Sequence, residues 1–317
     1  MNKIFFKIFV VFCIIFFDIS NLKSQNDVLF SNFLLNISLN SPSNLSLNNN
    51  PSIILTYRNH YPALSSAYTT YVFQYYHFFD KLNSGISSGV MNDIQGSGIF
   101  QIFCPFFSYR YLINLNESFK IASGIQYMHI VKKINSSKLI FETDLTGDIN
   151  DYDLKYNTTI PDFSVGLSIF YKKFFSSISF FHLFSVNSTE NIPLRFSFSG
   201  CYTDIFDKNK TITTAFKFDF QDKFKTLIYG TKIQYNIFTF GSWLRNNLPF
   251  NLDSWSIMLG INFISYNIFY NFDVNLKKFA NFNSGFSCHE VTFLYEFKYN
   301  KNKKKKIEKL KCPKIVN

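Results

Sequence analysis

The chain has 317 residues, of which 20% are aromatic (42 Phe, 19 Tyr) and only 17% charged, and it carries a formal charge of +11. This apolar composition excludes a disordered chain. Much of the positive charge sits in the C-terminal run 301–311 of what reads as an exported protein, so it does not point to nucleic acid.

In chain order, the first element is an export signal. Lys3 and Lys7 precede an apolar run over 8–17, and Asp18, Asn21 and Lys23 lead to the small residue Ser24. The run is shorter than the ~20 residues of a spanning helix, so 1–24 reads as a cleaved secretory signal peptide. No later stretch reaches spanning length either, which excludes a helical membrane protein. Residues 25–51, rich in Asn and Ser with scattered Leu and Phe, form a leader. Two readings of it stand: a segment that fills or caps a lumen, and a flexible periplasmic lead-in.

From residue 52 the dominant pattern is strict alternation, the period of a strand with unlike faces. Ile212, Thr214, Phe216, Phe218 and Phe220 oppose Thr213, Ala215, Lys217, Asp219 and Gln221, and Leu227, Tyr229, Thr231, Ile233 and Tyr235 oppose Ile228, Gly230, Lys232, Gln234 and Asn236. A soluble sandwich alternates too, so strand length decides. The segments 67–79, 98–113, 118–134 and 223–237 exceed the ~5–6 residues of soluble strands and meet the ~9–11 of a tilted transmembrane strand. About fourteen such segments begin near 52, 67, 83, 98, 118, 162, 175, 193, 210, 223, 238, 254, 266 and 288, an even count that suits closure. The expectation is an all-β, transmembrane antiparallel β-barrel of about 14 strands in the outer membrane, with aromatic faces toward lipid and polar faces toward the lumen.

Between the strands, 135–161 reads as a long acidic surface loop. Its Asp144, Asp148, Asp151 and Asp153 lack the glycine and terminal glutamate of a calcium loop. The last strand alternates Val291, Phe293 and Tyr295 against Glu290, Thr292 and Leu294, and closes a barrel domain over 52–300. A basic periplasmic tail, 301–317, follows. Cys104, Cys201, Cys288 and Cys312 show neither CxxC nor metal-like spacing.

No catalytic constellation emerges. The chain has no GxSxG, HExxH or phosphate-cradling loop, and only five His. His129, Asp93, His289 and Glu290 have acid–base chemistry, but His289 and Glu290 are strand neighbours that point to opposite faces. A non-enzymatic protein with no cofactor and no metal is expected.

Specific words occur in order along the chain: Tyr57-Arg58-Asn59-His60-Tyr61-Pro62, Tyr76-His77-Phe78-Phe79, Asn83-Ser84-Gly85, Asn92-Asp93 and Gly96-Ser97-Gly98. Near the end come Asn283-Ser284-Gly285, His289-Glu290 and Cys312-Pro313. In these words the chain resembles the PorP/SprF family of outer-membrane proteins from Bacteroidetes. The resemblance implies a part in the type IX secretion system and, in gliding species, in surface display of adhesins. It also implies contact with periplasmic machine components or with the C-terminal domains of cargo, in a bilayer of outer-membrane lipid. Two departures stand out. Asn40-Ser41-Pro42-Ser43 replaces an Asn-Pro-Ala-type motif, which puts the leader's packing in question, and Gln95 replaces a commonly basic residue.

Each motif residue also has a structural reading. Gly85, Gly89, Gly96 and Gly98 let strands bend or let a plug approach the wall, Arg58 anchors to a carboxylate or a lipid headgroup, and Asn92-Asp93 is a hairpin turn. The rival function is a porin or hydrophobic-substrate transporter, which calls for an open lumen with charged constriction residues or a defined ligand cavity.

Overall fold

The computed structural model describes residues 27–44, 50–62, 68–135, 156–184, 192–207, 209–248, 251–276 and 287–297. The expected signal peptide, the loop aspartates, Cys312 and the basic tail lie outside them. Fourteen strands form one closed antiparallel barrel. They are β1 (Ser52–His60), β2 (Tyr68–Phe79), β3 (Ser84–Gln95), β4 (Phe100–Asn114), β5 (Phe119–Ile134), β6 (Tyr156–Tyr171) and β7 (Phe174–Phe181). The second half comprises β8 (Arg195–Asp207), β9 (Lys210–Gln221), β10 (Phe224–Tyr235), β11 (Phe238–Asn247), β12 (Asn251–Asn262), β13 (Tyr266–Asn275) and β14 (Cys288–Glu296).

Each strand pairs with its neighbours in sequence, and closure is made by β1 against β14, with Ser52 opposite Glu296 and His60 opposite Cys288. No described helix is long and apolar enough to cross a membrane; the strands cross it. Their alternation supplies the outward aromatic surface: Phe107, Tyr109 and Tyr111 on β4 are exposed, while Ser108 and Arg110 between them are fully buried. Outward aromatics face hydrocarbon because lipid cannot satisfy amides or charges.

The two rims differ. One carries tight connections of two to four residues, such as 172–173, 236–237 and 263–265, and there Lys172 and Asn236 take left-handed φ of 51° and 52°. The other carries most of the longer connections, including 135–155, 182–194 and 276–287. In outer-membrane barrels the short turns are periplasmic, so β1 begins and β14 ends on the periplasmic side.

Two readings need correction. Asn92 and Asp93 are not a turn: both lie inside β3, Asn92 opposite Tyr71 and Phe103, Asp93 opposite Thr70 and Ile102. Asn and Asp have turn chemistry, but here their side chains find partners within the sheet, and the reversal falls at Gly96–Gly98, where Gly96, Ser97 and Gly98 have φ of 55°, 62° and 79°. The long connection is also shorter than expected, because β6 begins at Tyr156 and pairs with β5 from there.

The leader occupies the lumen. Phe33, Leu34 and Leu35 form one buried cluster with inward residues from around the wall, among them Ile54, Leu112, Phe170, Trp243, Met258 and Phe269. A second cluster joins Phe30 and Leu39 to Val72, Phe106, Met128, Ile130 and Ile160. The luminal face, expected to be polar, is therefore partly apolar. The leader brings apolar side chains of its own, and wall and plug bury one another as a core does. One turn of helix, α1 (Ile37–Asn40), interrupts the otherwise irregular leader.

Candidate functional site

The leader meets the wall at three places, beginning with a clamp at the barrel seam. Arg58 and Glu290 are cross-strand partners on the pair that closes the barrel. Arg58 Nη1 donates to Glu290 Oε2 at 2.9 Å and to Ser31 Oγ at 2.6 Å, and Nη2 lies 3.5 Å from Asp273 Oδ2. The backbone N–H groups of Ser31 and Asn32 donate to the two Glu290 oxygens at 2.8 and 3.0 Å. Ser31 Oγ and Ser256 Oγ donate to Asp273, and Arg245 stands 3.6 Å from the same carboxylate. Two guanidiniums thus balance two carboxylates, all buried, and leader amides complete the set. Buried charge is tolerable only when paired and hydrogen-bonded in this way.

At the outer rim, just beyond β7, is a second anchor. His182, held at a left-handed φ of 62°, donates from Nε2 to Asp27 at 2.9 Å and from Nδ1 to Asp162 at 3.0 Å. Two carboxylates on two ring nitrogens require the doubly protonated imidazolium. Burial opposes the charged ring, but Asp27 and the hydrogen bonds to Asp162 and Asp27 prevail, and the His182 pKa is pushed up to about 9. Burial likewise works to raise the Asp27 carboxyl, yet His182 and Arg195 hold it well below the usual carboxylate range. Arg195 bonds Asp27 at 2.6 Å, donates to the Leu39 carbonyl at 3.1 Å and stacks on Phe181.

Toward the periplasmic rim the contacts are uncharged on the leader side. Ser38 Oγ bonds Ser87 Oγ at 2.7 Å, Ser43 Oγ bonds Ser168 Oγ at 2.6 Å, and Ser179 Oγ donates to Ser41 Oγ at 2.5 Å. Arg110, fully buried, bonds Ser87 and the Tyr76 hydroxyl, and that hydroxyl donates to the Asn44 carbonyl. Gly124 and Gly166 make the approach feasible: a Cβ on Gly124 would stand 2.3 Å from the Pro42 oxygen, and one on Gly166 2.7 Å from Ser41 Oγ. At the departure from Asn40 to Ser43 the leader is thus packed tightly against the wall.

The motif residues divide by parity. Arg58, Gly85, Asp93 and Glu290 face the lumen, and of these only Arg58 and Glu290 meet. Gly85 makes room for Arg110, whose Cγ would lie 3.0 Å from an added Cβ. Tyr57 faces outward against Tyr71, Asn59 shares that face, and Asn92 accepts from Gln101 at 2.8 Å. His77 and His289 also face outward, each bonded through Nδ1 to a tyrosine hydroxyl, of Tyr75 and Tyr270. His289 and Glu290 thus sit on opposite sides of the wall. Pro62 follows β1, and Gly96 and Gly98 form the turn after β3. Sequence reasoning missed Asp27, Ser31, Arg110, Gly124, Asp162, Gly166, His182, Arg195 and Asp273. The strand residues among them that carry charge had a legible signal: charge at luminal parity in an alternating strand.

Beside the leader at the outer rim lies a cavity of about 70 Å³, bordered by Phe30, Leu39, Met91, Asp93, Met128 and Arg195 among others. Cys104, Cys201 and Cys288 are buried free thiols. Among the described residues no group of His, Cys, Asp and Glu is arranged to hold a metal ion.

A closed fourteen-stranded barrel with lipid-facing aromatics and a lumen filled by its own leader defines a plugged outer-membrane barrel. Residues 22–295 match the family model described as type IX secretion system membrane protein PorP/SprF, and the chain belongs to that family. No curated protein matches. Among solved structures the chain is similar to the toluene transporter TbuX of Ralstonia pickettii, at 8% identity over 83% of this chain and 94% of that one, with a TM-score of 0.54. It is also similar to the CymD monoaromatic hydrocarbon channel, at 9% identity over 88% and 95%, with a TM-score of 0.53. These likenesses are of fold.

Proposed function

We propose that this chain acts as a closed docking barrel of the type IX secretion system rather than as a conduit. The carrying observation is the leader, 27–44, which fills the lumen and is tied to the wall by the Arg58–Glu290–Asp273 clamp and the Asp27–His182–Arg195 anchor. A barrel closed this firmly works through its surfaces. Its periplasmic turns and tail meet other secretion components, and its rims meet the C-terminal domains of cargo, including adhesins in gliding members of the Bacteroidetes. Outer-membrane lipid surrounds it after export through the signal peptide 1–24. The luminal acids of the clamp and anchor are engaged in ion pairs, which supports a non-enzymatic role without cofactor or nucleic acid. Arg58 and Glu290 serve the leader in this reading, since neither is accessible to a partner while the leader is in place.

A second reading, passage of small apolar molecules, draws on the transport roles named for TbuX and CymD and on the cavity beside the leader. Size weighs against it. At about 70 Å³ the cavity is well below the roughly 150 Å³ of an apolar cavity known to hold benzene.

The test is an affinity pull-down of the tagged full chain from outer membranes of its own species, with mass spectrometry, alongside planar-bilayer recordings. Recovery of secretion subunits or a cargo C-terminal domain with silent bilayers is the expected result. A barrel that conducts and brings nothing down overturns the proposal.

A further inference from the structure

Of the lumen-facing motif residues, Asp93 is the one used neither by the clamp nor by the packing around Arg110. It is 3% exposed, faces the lumen near the outer-rim end of β3, and accepts from Thr70 Oγ1 and Gln95 Nε2, each at 2.6 Å. The other luminal carboxylates, half-buried Asp27 and buried Asp162, Asp219, Asp273 and Glu290, each contact Lys, Arg or His. Among the described residues no cation stands within ion-pair distance of Asp93. Lys132, whose register partner Ile102 is also that of Asp93, makes no ion pair with it. A buried carboxylate without a counter-charge is costly and has acceptor capacity to spare, since two oxygens offer about four lone-pair sites.

Asp93 borders the cavity at the outer rim, whose remaining wall is largely carbon and sulfur: Phe30 and Leu39 from the leader, Met91, Ile102 and Met128 from the barrel. The charged groups on its border do not cancel Asp93. Arg195 and His182 are both bonded to Asp27, and His182 also to Asp162, so neither is engaged by Asp93. A carboxylate held only by neutral donors beside an apolar wall is complementary to a small alkylammonium cation.

We propose that this cavity binds a primary alkylammonium group, with its methylenes on the methionine and aliphatic wall and its –NH3+ donating to Asp93. At about 70 Å³ the cavity is roughly half the ~150 Å³ apolar cavity that holds benzene, room for a short chain end such as –CH2–CH2–NH3+ and not for a ring. The group is either a free amine or the end of a lysine side chain presented at the outer rim.

The full chain in nanodiscs, with empty nanodiscs as control, is titrated by saturation-transfer NMR with n-propylamine, 1-propanol and N-acetyl-lysine methylamide. The expected result is saturable binding of propylammonium at least about tenfold tighter than propanol, the size of a charge-assisted hydrogen bond. Asp93→Asn brings the amine down to the alcohol's level while the leader stays protected from protease. Met128→Phe, which fills the cavity and leaves Asp93 in place, removes binding by occupying the space. Binding of the lysine amide in competition with propylamine identifies a polypeptide side chain as the source, and binding of propylamine alone identifies a free amine. Equal affinity for amine and alcohol, unchanged binding in Asp93→Asn, or no saturable binding overturns the proposal.

Discussion

The two halves of the leader are held by different physics. Residues 27–32 reach the wall through charge, with Asp27 on His182 and Arg195 and the Ser31 and Asn32 amides on Glu290. Residues 38–44 reach it through closeness, with hydroxyl meeting hydroxyl and Pro42 lying against a glycine. Charged anchors respond to pH and fail when one partner is removed; close packing responds to volume. The outer-rim half is accordingly expected to respond to the loss of a single partner, and the periplasmic half to added volume.

The largest expected effect is at the seam. Glu290→Ala strips two acceptors from leader amides and leaves Arg58 facing Asp273 alone, so the clamp is expected to lose about 3–5 kcal/mol, the usual result of removing one partner of a buried pair. The leader should become cleavable by added protease in intact outer membranes or proteoliposomes, while the barrel keeps its heat-modifiable migration. A leader as protected as in the parent protein would show that the clamp is dispensable and that packing alone retains it.

Gly124→Val comes next and sharpens the contrast from the other side. With even a Cβ 2.3 Å from the Pro42 oxygen, backbone must move, and the leader is expected to shift away from β5 without any change in charge. Planar-bilayer conductance should rise above the closed baseline. If conductance rises for Glu290→Ala and not for Gly124→Val, closure depends on the charged half alone.

A smaller effect separates the halves by pH. His182 has its pKa raised, so its contribution is complete below its ordinary 6.5 and is lost as pH rises through about 9. Asp27 has its pKa lowered, so its contribution is present above its ordinary 3.8 and is lost only as pH falls through its depressed value. The outer anchor is therefore intact from mildly acidic to neutral pH and loosens on the alkaline side. Amide exchange measured from pH 6 to 10, corrected for its intrinsic rate, should show protection falling at 27–32 and holding at 38–44. His182→Gln should flatten that difference, and a parallel loss in both halves would make the anchor irrelevant.

How much of this was readable beforehand follows from the same division. Strand positions and facing were legible because alternation is a local signal repeated fourteen times, and it placed Lys217, Asp219 and Glu290 on the luminal side. The leader was not legible. Its Asn- and Ser-rich sequence has no period, and many of its partners lie far away in the chain, as Ser31 with Glu290 and Ser43 with Ser168 illustrate. Asn92-Asp93 misled for a related reason: turn propensity is local, and register with β2 and β4 overrode it. Gly124 and Gly166 carried a usable signal, luminal parity without a side chain, whose meaning depended on knowing that the lumen was occupied.

The smallest effect makes the sharpest comparison, because it falls one residue from the largest. His289 and Glu290 are neighbours in β14, yet Glu290 is fully buried in the clamp while His289 lies on the outer face, bonded to the Tyr270 hydroxyl at 2.7 Å and packed against Phe272. His289→Phe exchanges one ring for another toward lipid and forfeits one hydrogen bond, so its cost should stay within about 1 kcal/mol. Leader protection, conductance and partner recovery should all match the parent protein. A loss of partner recovery with the leader still protected would have a different meaning: the outward histidine would belong to a contact in the membrane plane, and the docking face would lie on the wall of the barrel as well as at its rims.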